Sequence, residues 1–427
     1  MGPELIFLAV AACLAGSLLG TFTGLVPGIH VNTLASVMLL SYPLTESFLT
    51  QFTDPSYVPI IVSSCIISAS VVHSFVDFVP SVFIGAPDPD EVLTALPGHR
   101  LLMKGQGMRA VRAAAIGSAV GSASAILLAI PLQYLMLHGL AEHLDAFTVS
   151  VLVFTLSVIV LKERSAQNKV WAFVLVVVSG MLGLLCMDLP IPSSGIIGEG
   201  TLLFPLLTGL FGVPALLSSL KNVRIPEQDD DQVPPVDHVP GLKGVFMGSI
   251  AGWYPGITAT AGASLASVFM PEDKPERFIS LTASIGTVTS VFSLVTLSVS
   301  GSGRSGTAAA IKDILGDSLS GFCSPEFLIL LLCSAIASFL GYRITIAVGG
   351  SMSKVMNRIN IGPLNRAIFV LIVLLVLLLT GPFGLLILMI STLIGMIPLS
   401  MDMGRIPLTG CLMFPVIFHA LIGNIIF

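Results

Sequence analysis

The chain has 427 residues, of which 54% are hydrophobic and 10% charged, against roughly 25% charged in ordinary soluble domains. So few charges cannot solvate the exterior of a soluble domain of this size, so the chain reads as a polytopic α-helical membrane protein. The net charge of −5 is spread over loops and argues for neither nucleic acid nor a strongly acidic partner.

Residues 5–15 resemble a signal-peptide core, but Glu4 precedes them without a basic n-region, so they read as a retained first membrane segment. They open a broken segment over about 3–44, "LLGTFTGLVPGIHVNTLASVMLL" at 18–40. There an apolar run is interrupted by Pro27-Gly28 and followed by Ile29, His30, Asn32 and Thr33. Apolar runs between polar punctuation then give five spans, at roughly 57–85, 109–136, 146–161, 170–187 and 200–220. A Pro- and Asp-rich stretch without an apolar face, 221–243, reads as a polar cytoplasmic linker. The order then repeats. "MGSIAGWYPGITATAGASLASVF" (247–269) sits in a second broken segment at about 244–270, with Pro255-Gly256 followed by Ile257, Thr258 and Thr260. Spans follow near 278–300, 324–343, 366–380, 382–398 and 407–427. The chain thus divides into 1–220, the linker 221–243, and 244–427.

Lys and Arg set the orientation. Arg100, Lys104, Arg109 and Arg112 mark one cytoplasmic loop; Lys162, Arg164 and Lys169 a second; Lys221, Arg224 and Lys243 a third. Arg343, Lys354, Arg358 and Arg366 mark a fourth, and Arg405 belongs to a fifth. The first broken segment then starts and ends outside, and the second starts and ends inside, with five spans between them. The second half is therefore expected to be inserted upside down, an inverted-topology repeat of the kind that builds many secondary transporters. About 17 apolar residues per arm leave each broken segment either a re-entrant hairpin or two short spans.

Proline lacks an amide hydrogen and glycine is permissive, so each Pro-Gly pair should end one helix and begin another. Backbone broken at membrane depth must face protein or a water-filled cavity. The restarted helix presents free amides and the positive end of its dipole, a ready anion site. His30, Asn32, Thr33, Thr258 and Thr260 in its first turn can add hydrogen bonds to a carboxylate or phosphate. A single Pro-Gly pair would read as an ordinary kink; two in matching positions favour a site.

These residues carry a resemblance. "GTFTGLVPGIHVNTLA" and "GSIAGWYPGITATAGASLAS" resemble the paired Pro-Gly hairpins of the large membrane subunit of tripartite tricarboxylate transporters, the TctA-type permeases. Residues 81–122 and "MLGLLCMDLPIPSSGIIGEGTLLFPLLTGLFGVPALL" resemble two further regions of that family. The family's Asn-x-Pro-Gly core is here Gly85-Ala86-Pro87-Asp88, its Asp-Gly-Tyr is Pro97-Gly98-His99, and "SIGTVTSVFSLVTLSVSGSGRSGTAAAI" stands where a Pro-Glu-Ala-Ala-Asn-Asn signature is expected, so the resemblance is to a divergent branch. It implies a multi-pass plasma-membrane transporter of organic anions of the di- or tricarboxylate class. It also implies a small membrane subunit and an extracytoplasmic binding protein as partners, and the departures loosen that implication and the one to a tricarboxylate.

Other polar groups stand at membrane depth. His73 and Asp77, at i and i+4, share a helix face and are candidates for coupling to a cation, Na+ or H+; the plainer alternative is a satisfied pair near the membrane edge. "GAPDPDE" (85–91), with Asp88, and "GSGRSGT" (301–307), with Arg304, form a second pair of helix breaks; Arg304 could neutralise a substrate carboxylate, pair with an acid, or be a solvated loop residue. Asp188 and Glu199 read as solvated loop acids and His419 as a hydrogen-bonded packing residue. Six cysteines without C-x-x-C spacing imply neither a disulfide framework nor a zinc site. Gly303-Arg304-Ser305-Gly306 matches the Gly-x-Ser-Gly of rhomboid proteases, a weak signal in a Gly/Ser-rich chain, and no zinc-protease, Walker or dinucleotide motif occurs, so no enzyme and no cofactor is expected. The stronger rival is a polyprenyl-phosphate or phospholipid translocase using the same hairpins, with Ile29 and Trp253-Tyr254 against the lipid tail.

Overall fold

Long apolar runs in lipid can satisfy their backbone only as helices. In a computed structural model, which describes residues 3–26, 29–84, 95–188, 195, 201–218, 225–229, 237–303, 305–355 and 361–426, the regular elements are all helical. The first broken segment comprises α1 (Pro3–Leu25), α2 (Val31–Leu40) and α3 (Tyr42–Leu49). It is followed by α4 (Val58–Val76), α5 (Phe78–Phe83), α6 (Ala95–Leu102), α7 (Gly107–Leu135), α8 (Ala141–Ala146), α9 (Thr148–Leu161) and α10 (Ala166–Asp188). Next come α11 (Leu203–Leu207) and α12 (Val213–Ser218), joined by a π-helical turn over Thr208–Gly212. The second broken segment is α13 (Val239–Trp253) and α14 (Ala259–Phe269). The chain ends with α15 (Pro275–Ser300), α16 (Gly306–Leu315), α17 (Pro325–Val355), α18 (Ile361–Ser400) and α19 (Gly410–Ile426). Among the described residues, seven helical stretches are long and apolar enough to cross a membrane. Exposed Phe7, Leu18 and Phe22 on α1, and Phe173 and Met181 on α10, give the surface the apolar side chains that lipid requires.

The arms of the broken segments are unequal. In the first, α1 has 23 residues and α2 only 10. At about 1.5 Å per residue α2 rises half the thickness of a bilayer core and cannot cross it. The cause is Pro43 in the first turn of α3, which cannot continue α2 and restarts the helix after Ser41. In the second, α13 has 15 residues and α14 has 11. The expected spans 366–380 and 382–398 fall on the two helices that meet at a kink within α18, 40 residues in all. Its length is about twice a bilayer core, and it bends at Gly381, whose φ of 67° and ψ of −162° lie outside the helical region just before Pro382.

Glycine ladders set the helix directions. A Cβ on Gly16 would lie 2.1 Å from the Cys65 carbonyl oxygen, on Gly20 2.4 Å from that of Ala69, and on Gly24 3.0 Å from Val76. The steps advance together, so α1 lies against α4 in parallel. The second ladder repeats the spacing: Gly244 meets Ser284, Gly248 meets Val288 and Gly252 meets Phe292, at 2.5, 2.6 and 2.7 Å, so α13 is parallel to α15. Residues this small let backbones touch, the main source of helix association where lipid is as apolar as leucine.

Two further pairs orient the rest. Ser284 and Ser280 of α15 pack on Gly121 and Gly117 of α7, and Gln133 near the end of α7 donates to Ser298 near the end of α15 at 3.0 Å, so these helices are parallel. Cys323, just before α17, donates its backbone N–H to Gln133 at 3.0 Å, while Gly349 near the end of α17 meets Val111 near the start of α7; these two are antiparallel. Gly341 of α17 lies against Phe75, and Cys333 beside Ser64, so α17 follows α4. Helices α4 and α15 therefore run oppositely, and they cross at a hydrogen bond between Ser74 and Ser290, 3.0 Å. They are the centre of the bundle: the apolar windows of Pro55–Phe83 and Pro275–Ser300 are each 83% buried, against 33% for α1.

Charge gathers at one end. Lys243 in α13 pairs with Glu272, just after α14, at 2.6 Å, and Glu272 also receives Arg277 of α15 at 2.6 Å. Arg109 near the start of α7 pairs with Glu276. The second hairpin thus enters and leaves at one face of the bundle. Part of the linker docks there too: Gln228 accepts from the N–H of Gly107 at 2.8 Å, and Asp229 donates to the Gly105 carbonyl at 2.8 Å.

Candidate functional site

Both broken segments point at one cavity of about 520 Å3. From the first come His30, Asn32 and Thr33; from the second, Pro255, Gly256, Ile257, Thr258 and Ala259. Gly256 has φ of 81°, which favours glycine, and a Cβ there would lie 2.9 Å from the Leu412 carbonyl oxygen of α19. That position serves both the turn and the packing.

Each helix after a break begins with a side-chain cap. The His30 Nδ1 accepts from the N–H of Asn32 at 3.1 Å, and the Thr258 Oγ1 from that of Ala261 at 3.2 Å. Three orphan amides remain at each start once one is capped. A third helix joins them. Ser305 caps α16 through the N–H of Ala308 at 3.2 Å, and Ser302, Gly303, Ser305 and Gly306 all line the cavity. Gly306 packs against Asn32, and Asn32 Oδ1 accepts from the N–H of Thr307 at 3.1 Å, tying α2 of the first segment to α16. Three helix starts, each equivalent to about half a positive charge, thus surround one space.

The rest of the wall is largely apolar: Leu203, Phe204, Leu207 and Phe211 from the α11–α12 region, and Leu379 with Thr380 beside the Gly381 bend. Thr208, Thr289 and Thr409 add hydroxyls. Among the described lining residues the ionisable groups are His30, the Cys411 thiol and the exposed Asp313. A positive charge stands behind one wall: Arg405, in the loop after α18, donates to the Phe211 carbonyl at 3.1 Å. Burial lowers its pKa to about 10, which leaves it charged at neutral pH. The bond satisfies a carbonyl within the π turn, where regular i−4 pairing is interrupted.

The remaining expected site residues fall into three places. Ile29 and Thr260 are buried, and neither lines the cavity. His73 and Asp77 are buried behind the first break, at 3% and 5% exposure; His73 Nδ1 lies 3.0 Å from the Thr23 hydroxyl, and the His73 ring is centred 5.1 Å from that of His30. Pro27, Gly28, Asp88 and Arg304 lie outside the described residues. Trp253 and Tyr254, expected against a lipid tail, instead pack in the core with Met136, Leu152 and Met413, away from the cavity wall. His419 pairs with Asp188 at 3.0 Å at the end of α10.

Sequence reasoning marked the break that opens α16, through "GSGRSGT", but did not place the π turn or Arg405 at the site. A π turn has no period of its own to detect. The clearest available signal was Gly381-Pro382, a third break of the same chemistry, beside which Thr380 reaches the cavity.

A helical bundle of membrane-spanning length, closing around a cavity at the ends of broken helices, is a multi-pass membrane transporter in architecture. The chain belongs to the tripartite tricarboxylate transporter TctA family, whose model matches residues 10–410. That is a transporter family rather than an enzyme family, and its members are the large subunit of a system with a small subunit and a binding protein. The chain is also similar to the uncharacterized protein MJ1079 of Methanocaldococcus jannaschii, 31% identical over 309 residues covering 70% of each chain. No solved structure matches it.

Proposed function

We propose that this chain carries an organic anion of the di- or tricarboxylate class by alternating access, holding it in the cavity between the starts of α2 and α14. One observation carries this reading: residues from both breaks, with their caps His30 and Thr258, line a single cavity. Orphan amides and dipole ends offer an anion what water offered it, and no described residue lining the cavity is a lysine or arginine. We further propose that residues 1–220 and 244–427 are inverted repeats about the linker, for which the two glycine ladders, the parallel pairs they build and the opposed directions of α4 and α15 are the support. Rocking of one half against the other would then expose the cavity to each side in turn. A coupling cation, Na+ or H+, is assigned to the buried His73–Asp77 region, and a small membrane subunit and an extracytoplasmic binding protein are the proposed partners.

The largely apolar wall, with Leu203, Phe204, Leu207 and Phe211, favours a second reading, a carrier of prenyl phosphates or other lipid phosphates. Titration calorimetry of the purified chain separates the two. Saturable binding of citrate or succinate with no response to a prenyl phosphate supports the first; prenyl-phosphate binding without carboxylate binding overturns it in favour of the second. Uptake of the bound anion into proteoliposomes with and without a sodium gradient tests the coupling ion.

A further inference from the structure

The two breaks do the same structural task with different side chains. Thr258 caps α14 through a hydroxyl, the chemistry helix starts prefer; His30 caps α2 through a ring nitrogen, which is not a favoured cap. The cap requires Nδ1 of His30 to be an acceptor, so a proton there breaks the hydrogen bond from the N–H of Asn32 and places a positive charge at the positive end of α2. In an empty cavity both effects oppose protonation. An anion beside the ring reverses the second and takes over the amide that the cap gives up.

Resting on the anion site proposed above, we infer that His30 is a proton-linked gate on anion binding: the anion and one proton enter the cavity together, the proton on His30. Among the described residues four titratable groups stand near it or at the cavity. His73 of α4 faces the ring at 5.1 Å, Asp77 follows one turn on, Asp313 of α16 stands exposed at the cavity, and the Cys411 thiol lines it on the α19 side. No described lining residue is a lysine or arginine that would already neutralise the anion. Thr258 has no proton to gain, so the linkage belongs to one break only.

The sign follows from linkage. A bound anion raises the pKa of His30, so affinity is fully present below the free-state pKa and is lost as pH rises through the bound-state value. Affinity falls by up to about tenfold per pH unit in that interval. The test is calorimetry of succinate and citrate binding between pH 6 and 8, each in two buffers of different ionisation enthalpy, which counts the protons taken up. The expected result is net uptake approaching one proton per anion in the native chain. In His30→Thr, which makes the first break like the second, anion affinity falls to about the native chain's high-pH value, and the binding that remains takes up no proton and no longer depends on pH. Anion binding by the native chain with no proton uptake overturns the linkage and leaves the anion site standing. Uptake that persists in His30→Thr and disappears in His73→Asn overturns it in favour of His73. No binding of either anion at any pH overturns the linkage together with the site.

Discussion

At the scale of the residue, the site is built from helix caps. Thr258 supplies one hydroxyl to one amide, and its loss has a definite size: removing a cap costs about 1 kcal/mol. In Thr258→Ala, α14 keeps its buried face, so the change falls on the amide-rich start. We expect succinate or citrate affinity to change by up to about fivefold in a calorimetric titration, together with a lower unfolding midpoint in detergent, because a cap contributes helix stability. Unchanged affinity would remove α14 from the anion site. Asn32 is different in kind. Its Oδ1 is committed to the N–H of Thr307 and its side chain lies under Gly306, so it joins two elements before it can serve a ligand. Sequence spacing marked His30, Asn32 and Thr258 because Pro-Gly pairs announce a break. It could not mark Arg405, whose partner is the carbonyl of Phe211, far away in the chain.

At the scale of the element, glycine ladders fix where the breaks fall. The three glycines of α1 and the ladder glycines Gly244, Gly248 and Gly252 of α13 stand at i, i+4 and i+8, each set ending three residues before its Pro-Gly pair, so packing and breakage are set in one register. A large side chain in the middle of either ladder must push the pair apart, at about 1–3 kcal/mol or more. We expect Gly20→Leu and Gly248→Leu to lower the unfolding midpoint in detergent clearly. Gly350→Ala in α17, where an added Cβ meets nothing within 4 Å, should leave it unchanged or raise it. A native midpoint in both leucine variants would mean that the ladders do not hold the bundle. The ladders and breaks were legible in the sequence because small residues at a spacing of four have a packing meaning in lipid. The arm lengths were not, since a uniform apolar run hides the point where Pro43 stops α2. Trp253-Tyr254 was misread for a related reason: aromatic residues suit both a lipid tail and a helix interior, and only the packing around α9 and α19 decides.

At the scale of the whole molecule, the proposed inversion has a direct chemical readout. Ser47 in α3 and Asp273 after α14 are both exposed and follow the short arms of the two hairpins. In a Cys323→Ser background, since the other described cysteines are buried, Ser47→Cys and Asp273→Cys should react with a membrane-impermeant maleimide from opposite sides of intact cells or vesicles. Labelling of both from one side would end the inverted-repeat proposal. The parallel pairing of α1 with α4, and of α13 with α15, also bears on how the chain is made. Each glycine face matches a helix that leaves the ribosome later than itself, with the short return arm emerging in between. Neither hairpin can settle when it first reaches the translocon; it must wait, partly solvated, for its partner to thread past. Nascent chains halted before α4 or before α15 would present an open glycine groove, and those are the stages at which insertases and quality-control proteases should find this permease most vulnerable.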